Sequence, residues 1–204
     1  TTTTTPAPLW VQMYQMSGTS IINTRFGESI SISSDGSVIA IGQPSMSHNP
    51  TVEGGYVRVL AWDGAAFVQV GSDISYQYAS KDFGFSVSLS SNGGFLAIGA
   101  PGFEEESGYR GRGSAHVYRF NSATGEWERL LSLGDELSGQ NYMYTGHSVS
   151  ISDLDYVAYG SPGYDHEPTS NTGKASVRDF TDVNDDRNKT FVGGELNGYD
   201  VDAS

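Results

Sequence analysis

The sequence predicts an all-β fold built from repeated four-stranded sheets, and three observations carry that expectation. The first is an internal repeat. The segments FGESISISSDGSVIAIGQPS (26–45), FGFSVSLSSNGGFLAIGAPG (83–102) and GHSVSISDLDYVAYGSPG (146–163) follow one pattern, with Gly27, Gly84 and Gly146 set 57 and then 62 positions apart. The second is alternation of period two at the head of each copy, where Ser29, Ser31 and Ser33 interleave with Ile30 and Ile32. Ser86, Ser88 and Ser90 do the same with Val87 and Leu89, and Ser148, Ser150 and Ser152 with Val149 and Ile151. Alternation of this kind is a strand with aliphatics on one face and serines on the other. The third is turn chemistry: Asp35-Gly36 and Asn92-Gly93 follow the first two runs and accommodate positive φ in a hairpin.

The remaining elements follow in order. A second strand is expected at Ile39, Ala40, Ile41 and Gly42, matched by Leu96, Ala97, Ile98 and Gly99 and by Val157, Ala158, Tyr159 and Gly160. Pro44, Pro101 and Pro162 end it, because proline has no N–H to donate to a ladder. After a variable loop a third strand starts at Gly55, Gly113 and Gly173. A fourth follows a polar turn, as FVQVGSDIS from Phe67, WERLLSLGDELSG from Trp127 and TFVGGELNG from Thr190. The opening LWVQMYQMSG from Leu9 belongs to this set, since Trp10 precedes Phe26 by 16 positions, as Phe67 precedes Phe83.

Both inner strands carry large residues on one face and Ser, Ala or Gly on the other. A sheet with one wet face would alternate apolar with charged residues instead. Small residues on the second face imply a neighbour that approaches very closely, as happens near the axis of radially arranged four-stranded sheets. The expected architecture is therefore a β-propeller arc of three blades plus the outer strand of a preceding one, part of a larger propeller. Ile39, Ile41, Leu96, Ile98 and Val157 should be almost inaccessible, with Ala40 and Ala97 facing an adjacent blade. Residues 1–8 form a Thr/Pro-rich tail or linker and 9–204 the blades.

These residues resemble the FG-GAP repeat of integrin-α-type β-propellers. The resemblance rests on Phe26-Gly27 with Gly42-Gln43-Pro44, Phe83-Gly84 with Gly99-Ala100-Pro101, and Tyr144-Thr145-Gly146 with Gly160-Ser161-Pro162. It covers most of the chain and implies a propeller used for adhesion, ligand binding or scaffolding outside the cell. Two features depart from it. Many members carry a calcium loop between the first two strands, but here that link is Ser33-Ser34-Asp35-Gly36, Ser91-Asn92-Gly93-Gly94 and Ser152-Asp153-Leu154-Asp155. These supply too few oxygens for the about six to eight ligands calcium takes, so no metal or other cofactor is expected. Three blades are also fewer than the about four to eight of a closed ring. Further blades are expected from the same longer chain or from neighbouring copies.

Composition narrows the function classes. The net charge of −13 argues against nucleic acid, whose binding needs Lys and Arg to neutralise phosphates. No apolar run approaches the ~18 residues of a membrane span, and no signal-peptide pattern opens the chain. The absence of cysteine excludes disulfides and thiolate metal sites.

Candidate sites fall mainly on one rim, where the loop between second and third strands meets the link to the next blade. Tyr76, Tyr78, Phe103, Tyr109, Tyr142, Tyr144 and Tyr164 lie there with Glu104, Glu105 and Asp165. Tyrosine combines an apolar face with a hydroxyl, which suits a protein or glycan ligand; the alternative is that several of these rings seal the joints between blades. Asn188-Lys189-Thr190 is an N-glycosylation sequon, and Thr1, Thr2, Thr3, Thr4 and Thr5 before Pro6 could carry O-glycans or form a spacer. Asp182, Asn184 and Asp186 read as the turn between third and fourth strands, and the run Asp165-His166-Glu167 as a solvated loop, rather than as metal sites. His48, His116, His147 and His166 pair with no nucleophile motif, so no catalysis is expected. The expected function is an extracellular adhesion or structural interaction module; the alternative is a carbohydrate-binding propeller accessory to an enzyme.

Overall fold

The computed structural model describes residues 14–18, 25–44, 55–76, 82–102, 111–134, 142–165, 172–180 and the strand Leu196–Asn197. Every regular element among them is a β-strand. The first unit contains β1 (Ser29–Ile32), β2 (Val38–Gln43), β3 (Tyr56–Trp62), β4 (Phe67–Gln69) and β5 (Ile74–Ser75). The second contains β6 (Ser86–Leu89), β7 (Phe95–Ala100), β8 (Ser114–Asn121) and β9 (Glu126–Leu133), and the third β10 (Ser148–Ile151), β11 (Tyr156–Ser161), β12 (Lys174–Asp179) and β13 (Leu196–Asn197). Each unit is an antiparallel meander in sequence order. In the first, the outer strand is interrupted near Gly71, so β4 and β5 pair with different parts of β3. Residues 14–18 contain no strand, and the rest of the expected opening strand lies outside the described residues.

The repeat motif has a geometric cause. In all three copies the turn before the first strand puts a non-glycine residue and then a glycine at positive φ: Arg25 and Gly27, Asp82 and Gly84, Tyr144 and Gly146. The glycine N–H then donates to the carbonyl of the second-strand glycine, Gly27 to Gly42, Gly84 to Gly99 and Gly146 to Gly160. The second glycine has its own steric reason. A Cβ on Gly42 would lie 2.0 Å from the Gly84 carbonyl oxygen, and one on Gly99 would lie 1.9 Å from that of Gly146. The obstruction is backbone of the next unit, so only glycine fits. Hairpin tips are held by side chains: Asp35 accepts from Ser33 Oγ, Ser37 N and Ser37 Oγ, while Gly36 takes φ 74°.

Units pack face to face along their inner strands, β1 beside β6 and β6 beside β10. The first seam joins Ala40, Val57, Val59 and Ile74 to Phe83, Leu89, Leu96 and Ile98. The second joins Ala97, Ala115, Val117 and Leu131 to Ile151, Val157, Tyr159 and Phe180. Leu96, Ile98 and Val157 are fully buried and Ile41 nearly so. Ile39 is not: it is only half-buried, and its row-mates Ile30 and Ile32 are 67% and 58% exposed. Among the described residues, no unit covers the Ile30, Ile32 and Ile39 part of this face as a preceding unit covers the same face of the second and third, although Ile41 is buried; this corrects the expectation for Ile39.

Candidate functional site

The rim residues divide between seam and surface. Tyr76 is half-buried against the first core, with its ring 5.0 Å from that of His116 and the Arg129 guanidinium 5.0 Å from its centroid. It closes the joint between units one and two. Tyr142 and Tyr144 are instead exposed, at 49% and 40%, with ring centroids 6.3 Å apart. Tyr164 and Asp165 are half-exposed in the third unit's next loop, just after Gly163, where a Cβ would lie 3.0 Å from the Tyr144 ring. Tyr78, Phe103, Glu104, Glu105 and Tyr109 lie outside the described residues, as do Asn188, the tract Thr1 to Thr5, Asp182, Asn184, Asp186, His48 and His166.

The tyrosine pair is built by backbone conformation. Tyr142 and Tyr144 have φ of 61° and 54°, in the left-handed region that bulky residues rarely enter. Between them Met143 is fully buried. The chain therefore drives one side chain into the core and turns its neighbours outward. For Tyr144 the conformation belongs to the repeat turn, since Arg25 and Asp82 share it. Tyr142 lies outside that turn and carries an additional cost, of order 1–3 kcal/mol for such a residue.

Two units frame the patch. Tyr144 N donates to Gly111 O and Gly163 N to Met143 O, both at 3.0–3.1 Å, which ties the second unit's loop to the third unit's. A Cβ on Gly111 would meet both tyrosine rings at 3.3–3.4 Å, so this glycine forms part of the floor. Lys174, at the start of β12, is 6% exposed and sets its ammonium 4.8 Å from the centroid of the Tyr164 ring. That geometry is a cation–π contact. Nothing in the sequence pattern marks Lys174, because Tyr56 and Ser114 stand at the same place in the other copies.

The described histidines have structural surroundings. His116 is 1% exposed, with Nε2 2.8 Å from Ser114 Oγ and Nδ1 3.1 Å from Ser132 Oγ. Burial, with a smaller contribution from the Arg129 charge, lowers its pKa to about 3. Ser114 is also 1% exposed, so this Ser–His pair lies closed within the seam. His147 is at the surface and tilts against Phe85, centroids 5.0 Å apart. Among the described residues no three His, Asp or Glu side chains converge as a metal site, and no helix is long and apolar enough to cross a membrane.

No family model matches the sequence, and no curated protein sequence is similar to it. Solved structures are similar in fold. They include the Dos1 propeller, 13% identical over 85% of this chain and 33% of that one, with a TM-score of 0.46. Hydrazine synthase of Kuenenia stuttgartiensis is 14% identical over 74% of this chain and 38% of its own, TM-score 0.42. The tricorn protease is 13% identical over 80% of this chain and 18% of its own, TM-score 0.40. The chain thus spans about a third or less of two of these structures and somewhat more of the other. At these identities and scores the likenesses assign a role to no residue here.

Proposed function

We propose that the three units are successive FG-GAP-like blades of a larger β-propeller, and that the chain is a non-catalytic interaction module acting outside the cell. Its ligand is a glycan or protein surface held on the rim at Tyr142 and Tyr144, with Tyr164 and Asp165 at the margin. One observation carries this reading: two bulky aromatic side chains stand exposed on left-handed backbone while the residue between them is buried. The left-handed backbone at Tyr142 is not required by the repeat turn, and stacking on the apolar face of a sugar or a flat protein surface uses both ring and hydroxyl of the exposed pair. The solvent-closed setting of Ser114 and His116 removes that pair as a catalytic candidate.

The test is binding of the purified chain to a glycan array and to immobilised extracellular-matrix proteins, repeated with Tyr142→Ala and Tyr144→Ala. Specific retention that drops at least tenfold in both variants, without a change in melting temperature, supports the reading. Retention unaffected by either change removes the patch from it.

A further inference from the structure

Each internal seam repeats the same four backbone and hydroxyl pairings. Ser29 Oγ donates to Gly84 O and Ser86 Oγ to Gly146 O, both at 2.8 Å. In return Leu89 N donates to Ser31 Oγ at 2.9 Å and Ile151 N to Ser88 Oγ at 3.2 Å. The turn carbonyl lies over a Cβ-free Gly42 or Gly99, and the turn glycine sits by the third strand of the preceding unit. A Cβ on Gly84 would be 2.9 Å from Tyr56 O, and one on Gly146 would be 2.1 Å from Ser114 O.

Among the described residues, the two outer faces carry the unmatched halves of this set. On the third unit Ser148 and Ser150 are exposed, and a Cβ on Gly160 would meet only the Ser148 side chain. On the first unit Ile30 and Ile32 are exposed, and a Cβ on Gly27 would meet nothing within 4 Å. We infer that the serine face of the third unit docks on the isoleucine face of the first unit of a second copy of this chain, joining copies head to tail. The pairings follow by register: Ser148 Oγ donates to the second copy's Gly27 O, and the second copy's Ile32 N donates to Ser150 Oγ. Gly160 lies beneath that same Gly27 carbonyl, and Lys174 O takes the place of Tyr56 O and Ser114 O. The second copy is the occupant because it presents every counterpart in the spacing that the two internal seams already use. Such a contact is heterologous, so it propagates unless its rotation closes a ring.

The inference rests on the blade reading above but not on the tyrosine patch, so Tyr142→Ala should leave it unchanged and the two proposals fail separately. Sedimentation velocity of the full chain, from low to high micromolar in 0.15 M salt, should show dimers and longer species growing with concentration. Ile32→Lys blocks one end and Ser150→Lys or Gly160→Val the other; circular dichroism and melting identify a variant that stays folded at each end. Each blocked variant alone should be a monomer. An equimolar mixture of an Ile32→Lys chain with a Ser150→Lys or Gly160→Val chain should give a 1:1 dimer and nothing larger. A wild-type chain that stays monomeric throughout, a mixture that does not associate, or single-end variants that dimerise alone would each overturn the inference.

Discussion

The inner strands of the first and second units carry nearly the same alternating sequence, yet their aliphatic faces end in different surroundings. Leu89, Leu96 and Ile98 of the second are buried against Ala40, Val57 and Val59, while Ile30 and Ile32 of the first stand in solvent. Burying a Leu or Ile side chain fully is worth roughly 1.5–3 kcal/mol, so identical local patterns contribute very differently to stability. The difference arises from what packs on the face. A seam forms only where an aliphatic row meets a Ser/Ala/Gly row, because only the small row lets the next unit's turn carbonyl come close enough to accept its hydrogen bond.

The largest contrast should come from the second-strand glycines. Gly99→Val drives a side chain into the Gly146 carbonyl and is expected to cost on the order of 5 kcal/mol, whereas Gly160→Val displaces only a serine hydroxyl. Denaturant unfolding of the two variants measures this directly, and equal losses would break the comparison. Next come the aliphatics: Leu96→Ala should lose ~2–5 kcal/mol and Ile32→Ala within about 0.5 kcal/mol in the monomer.

Acid should act on the first seam. The folded pKa of His116 lies below its usual 6.5, so the unfolded chain binds the extra proton and stability falls as pH drops from 6.5 towards 3. Above pH 6.5 this contribution is complete. At pH 5 about 2 kcal/mol should be lost relative to pH 7. Ser176 occupies the matching position in the third unit, so His116→Ser should flatten that pH dependence even if it lowers stability overall. A wild-type stability unchanged between pH 7 and 5 would show that His116 is not held neutral.

A smaller effect is expected at the first hairpin tip. Its hydrogen bonds from Ser33 and Ser37 lower the Asp35 pKa from 3.8 to about 2, so the tip keeps its support above pH 4 and loses it as pH falls through about 2. Protection of the Ser37 amide, its exchange rate relative to the intrinsic rate at each pH, should fall across that interval. Calcium should do nothing measurable: chelator and added calcium are expected to leave the melting temperature unchanged. A rise of several degrees with calcium would place ligands in a loop that the hairpin tips do not supply.

Much of the fold was legible because the strand period is two and the repeat is written three times. Ser29 to Ile32, Ser86 to Leu89 and Ser148 to Ile151 all form the inner strands that alternation predicts, and each second strand ends just before its proline. The candidate rim was less legible. Sequence placed Tyr76 and Tyr142 in the same class, but one ring closes a seam and the other faces solvent. Their difference depends on backbone φ and on which unit stands alongside, and neither is written in a composition of loops.

By itself the sequence determined the inner strands, their hairpin turns and the positive-φ glycine that opens each copy (Gly27, Gly84 and Gly146), because these follow from local sterics and side-chain period. Tertiary structure alone decided which apolar rows are buried, that His116 is sealed between Ser114 and Ser132, and that Lys174 lies by the Tyr164 ring. The physical reason is that burial and desolvation belong to pairs of surfaces. A row of isoleucines is a core only when another unit brings its serines and glycines within hydrogen-bonding reach.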